Sequence, residues 1–206
     1  KKILSDLNNY LEENNIKIKG LVSALSTPNR IIINFSNISK EVIKKSQEIR
    51  GPSINAKTEA LEGFLKSHNI KKSQVKIKLT EKGEFYFYKT IEQKLKTYDL
   101  LRENLPLILD KVNWNKSMKW GNNKMFWGRP LKSILAVFEG RKIDFNFYHL
   151  KASNFTFIDK DFEEKKKIFT DFKSYEKYFK KQGTLVDQDK RKELIKKEFS
   201  KILDKR

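Results

Sequence analysis

The chain has no cysteine and only two histidines among its 206 residues. Disulfides, thiolate metal ligands and a cysteine nucleophile are therefore excluded, and a structural zinc site lacks its usual donors. Neither His68 nor His149 is followed by Asp, so a His-Asp metal site is excluded as well. Sequence offers no G-x-x-x-x-G-K-[ST] loop and no G-x-G-x-x-G after a strand, so nothing cradles a nucleotide phosphate. Nothing local marks a catalytic nucleophile, and the paired carboxylates Glu12-Glu13 and Glu163-Glu164 sit in polar stretches that read as solvated helix faces. There is no apolar run of transmembrane length, no signal-like segment, no internal repeat and no low-complexity tract beyond an excess of Lys. These absences predict a protein of the reducing cytoplasm with no membrane contact, no metal and no cofactor of its own. The first residues, Lys1-Lys2-Ile3, in place of an initiating Met, are expected to follow an upstream segment.

What is abundant is positive charge. Lys and Arg number 45 against 26 Asp and Glu, a net charge of +19, spread along the whole length. Such a field attracts phosphate backbones and makes binding steeply salt-dependent. Of the 45 basic residues 38 are Lys, and the chain is rich in Ile and Asn, so an A/T-rich genome is the competing explanation for the charge. With 38% hydrophobic and 34% charged residues, the chain is long enough to bury a core.

Periodicity predicts α+β architecture, with antiparallel sheets, packed helices and a charged helical segment at the end. Ile3, Leu4, Leu7, Tyr10 and Leu11 make a helix that ends at Asn14-Asn15 and is expected to pack on a sheet. Residues 20–26 and 30–35 are strand-like and make a hairpin or a wide turn, and Arg50-Gly51-Pro52-Ser53 reads as a turn before a helix over 58–68. Gly63 inside that helix suggests close approach of a neighbour. The clearest hairpin joins residues 75–79 to 84–91, and a helical stripe from Tyr98 to Val112 contains Pro106. Leu131–Phe138 reads as a buried strand whose mate is 143–149, with Ile143, Phe145, Phe147 and His149 on one face. Beyond Lys160 two charged helices are expected, one stopped by Gly183 and one burying Leu194, Ile195, Phe199 and Ile202. The composition divides the chain into an α+β region over 1–155 and a charged helical segment over 156–206.

The densest segment is residues 114–138, where Trp114, Trp120, Phe126 and Trp127 interleave with Lys116, Lys119, Lys124 and Arg129. RNA recognition uses that combination, flat side chains stacking on bases while cations meet phosphates. Equally, Trp120 and Trp127 are core anchors of a loop, leaving the lysines to face solvent. Arg50, beside a helix start whose free amides suit an anion, is a further phosphate candidate.

Lys116, Ser117, Met118, Trp120, Gly121, Arg129 and Pro130 resemble the "KSMRWG … F.RPIHWLVALF" segment of the beta subunit of the bacterial two-chain glycyl-tRNA synthetase. In the same order along the chain, Ser26-Thr27-Pro28-Asn29-Arg30 resembles its "ATPRRLA", Arg50-Gly51-Pro52 its "[KR]GP" and Ala60-Leu61-Glu62-Gly63-Phe64-Leu65 its "A.EGF.R". Gly83-Glu84-Phe85-Tyr86-Phe87 is similar to its "KGEYLF", Leu105-Pro106-Leu107-Ile108-Leu109 to its "LLPEIL", and Val186 to Ile195 to its "VIADFEERRERI". The family's opening "LLLEIGTEELP" is missing, and its "GNTTRGHRF" stands here as Ala152-Ser153-Asn154-Phe155-Thr156-Phe157 without Gly-His-Arg.

The resemblance implies an N-terminal fragment of a glycine-tRNA ligase beta subunit, contributing to tRNA binding and subunit assembly. It also implies that glycine and ATP are handled by the alpha subunit of a heterotetramer. No catalytic residue is then expected in this chain. Its partners are glycine tRNA, the alpha subunit and the remainder of beta, and Arg50, Lys116, Lys119, Lys124, Arg129, Trp120 and Trp127 are the candidate RNA contacts. A protein-interaction scaffold docking the alpha subunit and a free-standing RNA-binding domain are the alternatives.

Overall fold

Apolar residues at helical spacing put Leu7 and Leu11 on the buried side of α1 (Lys2–Glu13). In the computed structural model, which describes residues 2–158 and 165–203, the chain divides into two compact units. Residues 1–41 and 96–206 form the first, and Val42–Leu95 the second. Within the first unit α1 lies against a helix over Thr97–Asp110 and not on the expected sheet; the Tyr10 hydroxyl donates to the Leu100 carbonyl at 3.1 Å. Asn15 ends α1 in the left-handed region (φ 55°), where its N–H reaches Glu12 O at 2.9 Å and the Ile16 N–H reaches Leu11 O at 2.8 Å. That pair of bonds satisfies carbonyls the helix end would otherwise leave open. β1 (Val22–Thr27) and β2 (Arg30–Phe35) follow as a regular antiparallel hairpin.

The second unit contains all but the first residue of β3 (Glu41–Lys44), then β4 (Glu48–Ser53), α2 (Thr58–His68), a 3₁₀ turn over Lys72–Gln74, β5 (Val75–Thr80), β6 (Gly83–Lys89) and all but the last residue of β7 (Gln93–Lys96). β6 is the centre of a three-stranded antiparallel sheet in the order β4-β6-β5, while β3 pairs with β7. Arg50-Gly51-Pro52 is not the expected turn. It belongs to β4, and the register shifts between Arg50 and Ser53, a bulge that accommodates a proline inside a paired strand. α2 packs on β4, and a Cβ on Gly51 would stand 2.9 Å from the Phe64 ring, so the contact requires glycine there. Gly63 behaves in the opposite way, since a Cβ there meets nothing within 4 Å. The close approach expected at Gly63 is therefore found at Gly51.

The first unit resumes with α3 (Thr97–Asp110), which carries Pro106 in its interior and buries Leu101 and Ile108. Short ribbons follow: β8 (Met118–Lys119) with β9 (Phe126–Trp127), β10 (Val137–Phe138) with β11 (Arg141–Lys142), β12 (Asn146–Phe147) with β13 (Leu150–Lys151), and β14 (Phe155–Phe157) with β15 (Lys166–Ile168). Leu131–Phe138 is a ladder strand only at its last two residues. Residues 134–136 instead exchange bonds with Ser153 on one side, and the Ala136 carbonyl accepts from Ile143 N–H. The 143–149 segment keeps the predicted alternation, Ile143, Phe145 and Phe147 being buried, but folds back on itself in a second hairpin. His149 lies exposed in its turn instead of on the buried face.

α4 (Phe172–Lys181) buries Tyr175 and Phe179 with Phe169 and Val186, and Leu25 and Ile32 of the first hairpin pack against this cluster. Gly183 (φ 75°) stops α4 with the same two-bond pattern, Gly183 N–H to Lys180 O at 3.1 Å and Thr184 N–H to Phe179 O at 2.8 Å. α5 (Gln188–Leu203) departs from expectation: Leu194, Ile195, Phe199 and Ile202 are 47–63% exposed, an apolar stripe that none of the described residues buries. Its first turn is anchored, with Arg191 donating to Leu185 O at 2.6 Å and Ser26 O at 3.0 Å. Glu163-Glu164 lies outside the described residues, whereas Glu12 and Glu13 are solvated as expected.

Two stability measurements test these assignments. Gly63→Ala should stabilise the chain by about 0.5–1 kcal/mol, since the methyl meets open space and the glycine's chain entropy is removed. A melting temperature that falls would show that the position is crowded. The Asp171 carboxylate accepts from Ser174 N–H at 2.7 Å at the start of α4, and that bond holds its pKa below the ordinary 3.8. Asp171→Ala should cost about 1 kcal/mol at neutral pH. A depressed pKa contributes stability above the unfolded value and loses it as pH falls through the folded one. The gap between wild type and variant in urea unfolding should thus persist down to about pH 4 and close below it; a gap independent of pH would refute the capping role.

Candidate nucleic-acid interface

The tryptophan segment leaves the end of α3 and turns into the β8–β9 ribbon, whose register sets Met118 opposite Trp127 and Lys119 opposite Phe126. One face of this ribbon goes inward. Trp127 is 6% exposed, its ring meeting Trp114 edge-on at 4.9 Å and Phe147 at 5.8 Å. The Trp114 ring lies where a side chain at residue 128 would stand, 3.0 Å from a Cβ, so Gly128 is what lets the two indoles close together. Met125 is 1% exposed beneath them. Trp120 is half-buried, and its indole Nε1 donates to the Trp127 carbonyl at 2.9 Å, closing the loop between the two strands. Gly121 supplies the left-handed residue (φ 61°) that this tight loop needs.

The other face points outward. Lys119 and Phe126 are direct cross-strand neighbours, and Phe126 remains 61% exposed. Lys116, Lys124 and Arg129 are exposed as well, and none of these four cations has an ion pair among the described residues. Of the candidates in this segment the structure joins Trp120 to Trp127 and sets Lys119 on the ribbon opposite Phe126, while Lys116, Lys124 and Arg129 lie exposed nearby in sequence. Arg50 belongs to the second unit, where it is exposed on β4 with its guanidinium carbon 3.6 Å from the Phe85 ring centroid.

Beside the ribbon is a cavity of about 330 Å³ lined by Asp110, Trp114, Ser117, Phe126, Trp127 and Tyr148, among others. The Tyr148 hydroxyl donates to Asp110 Oδ1 at 2.6 Å, and this bond to a carboxylate is the main reason its pKa is raised above 10.0. Trp114 Nε1 is buried without a hydrogen-bond partner among the described residues. Asp110 and Tyr148 escaped the sequence reading because 38 residues separate them and only the fold joins a helix end to a hairpin turn. Among the described residues, no group of three or more His, Asp or Glu is placed to hold a metal ion. Nor is any helix there long and apolar enough to cross a membrane. His68 is exposed at the end of α2, touching Phe64 edge-on at 4.8 Å.

The model of a family described as the glycyl-tRNA synthetase beta subunit matches residues 1–206. The chain is 36% identical over 187 residues to the glycine-tRNA ligase beta subunit of Rickettsia peacockii (strain Rustic), covering 90% of this chain and 28% of that protein. It is 35% identical over 195 residues to the protein of that name from Rickettsia bellii (strain OSU 85-389), covering 94% and 29%. The Rickettsia canadensis (strain McKiel) protein of the same name is 33% identical over 198 residues, covering 95% and 29%. The chain thus spans somewhat more than a quarter of the length of these relatives. With a family match along all 206 residues, this chain belongs to the glycyl-tRNA synthetase beta subunit family.

Proposed function

We propose that this chain is a tRNA-contacting, non-catalytic region of a cytoplasmic two-subunit glycine-tRNA ligase, working with an alpha subunit that activates glycine with ATP. The observation that carries the reading is the outward face of the β8–β9 ribbon, where Lys119 stands beside exposed Phe126 with Lys116, Lys124 and Arg129 nearby in sequence. Cations with no ion pair among the described residues, beside an accessible ring, offer phosphates and bases what each requires. Buried Trp127 and half-buried Trp120 hold that face in shape, so their part is support; Arg50 contributes from its own unit. The family match supports glycine tRNA as the partner.

Docking of the alpha subunit, or of further beta-subunit chain, is the second reading. It is favoured by Met118 and Phe126, which are 56% and 61% exposed on one short ribbon. Salt separates the two readings, since phosphate binding falls steeply with ionic strength while an apolar interface persists.

Titration of the chain with glycine tRNA, with an unrelated tRNA as competitor, should show cognate-selective binding at near-physiological salt. Replacing Lys116, Lys119 and Lys124 together by Gln should weaken it and reduce the slope of log affinity against log salt by about 2–3. Unchanged affinity and slope in a folded variant would move the tRNA surface elsewhere. Adenylate formation by this chain alone would overturn the non-catalytic assignment.

A further inference from the structure

The second unit carries an aromatic and cationic sheet face that the tryptophan segment does not account for. Antiparallel register fixes its membership. Arg50 and Lys76 both stand opposite Phe87, Ser53 and Lys78 opposite Phe85, and Glu48 opposite Lys89. Directly opposed residues share a face, so Phe85 and Phe87 occupy the middle of the central strand with cations on both neighbouring strands. The side chains agree with that register. The Arg50 guanidinium carbon lies over the Phe85 ring, 3.6 Å from its centroid, and the Lys78 ammonium reaches to 5.6 Å from the Phe87 centroid while pairing with Glu48.

The opposite face of the sheet is where α2 packs. Gly51 meets Phe64, and His68 stacks on Tyr88 with centroids 6.5 Å apart. α2 is the one α-helix of this unit, so the unit itself has no helix left to cover Phe85 and Phe87. Both rings are only half-buried, and Arg50, Lys76, Lys78 and Lys89 are exposed around them, with Glu48 the carboxylate among the paired positions. Next to Arg50, Thr80, Glu81 and Lys82 complete a hollow of about 200 Å³.

We infer that this face is a platform for unpaired nucleotides of an RNA strand, the bases stacking on Phe87 and on the Arg50–Phe85 pair while phosphates meet Lys76, Lys78 and Lys89. Rings on alternate positions of one strand, flanked by cations, favour stacking that tolerates any base. A duplex hides its base faces and cannot use the rings. The inference rests on the reading that this chain binds RNA, but it places a second contact on a different unit from the β8–β9 ribbon.

Binding of the full chain to a fluorescently labelled, mixed-sequence RNA octamer, to a blunt RNA duplex and to glycine tRNA tests it. Phe85→Leu combined with Phe87→Leu should weaken octamer binding by about tenfold or more while leaving duplex binding and the salt slope unchanged. Lys76→Gln, at an exposed position where folding is not at stake, should weaken octamer binding and lower the salt slope by about 0.7. Wild-type octamer affinity in Lys76→Gln, or in a leucine variant shown by thermal melting to be folded, overturns the platform. Binding of tRNA without the octamer overturns it too and leaves the tRNA reading intact. Octamer binding that obeys both substitutions, in a chain that does not bind tRNA, supports the platform and removes that reading.

Discussion

A two-stranded ribbon cannot cover its own apolar face, and outside the second unit's three-stranded sheet every ladder described here is such a ribbon. Each must be fastened by side chains reaching from elsewhere. Arg30, at the start of β2, donates to Thr156 Oγ1 at 2.9 Å and to the Phe157 carbonyl, and its guanidinium carbon lies 4.3 Å from the Phe179 centroid. One residue thus ties the first hairpin, β14 and α4 across more than 120 positions of sequence. Tyr175 in the same cluster has its pKa raised because burial penalises the phenolate, an effect the nearby Arg30 charge opposes. The cation thus meets two acceptors and a ring face, contacts that favour a partly buried charge. Tyr98 does related work, its hydroxyl donating to Lys142 O at 3.0 Å and joining α3 to the β10–β11 ribbon.

Helix ends supply the second set of fastenings. α1, α2 and α4 close with one geometry: a residue at positive φ, Asn15, Asn69 or Gly183, whose N–H and that of its successor bond back to the last turn. The successors are Ile16, Ile70 and Thr184, so the chain leaves each of these three helices through a β-branched residue. These stops were legible as Asn-Asn and as glycine because they are local chemistry. So were the hairpins of residues 22–35 and 75–89, where turn residues and alternation agree.

Legibility failed where satisfaction is non-local. The apolar run 131–138 has the composition of a strand, but its bonds go to Ser153 and Ile143, choices no local pattern encodes. Arg50-Gly51-Pro52 has turn composition yet sits in a bulged strand because Phe64 requires a bare Cα against the sheet. In α5 periodicity identified the apolar stripe correctly and its burial incorrectly. A stripe specifies which residues share a side; whether anything covers that side depends on the rest of the molecule. The candidate interface divides in the same manner. Its cations and rings were visible in residues 114–129, whereas the inward turn of Trp127 and the Asp110–Tyr148 bond were set by tertiary neighbours.

The aromatic residues show how one composition serves two ends. Interleaved rings and lysines suggest RNA binding wherever they occur, but a ring enclosed by Trp114 and Phe147 has no face left for a base. Trp127 is spent on rigidity. That expenditure is useful because the residue beside it in sequence, Phe126, is held outward by the alternation of the strand, directly across from Lys119. In the second unit the same alternation places Phe85 and Phe87 with the cations and Tyr86 and Tyr88 on the other face. A period of two is what separates packing from presentation in both units, and the inward rings are the reason the outward ones are held in place.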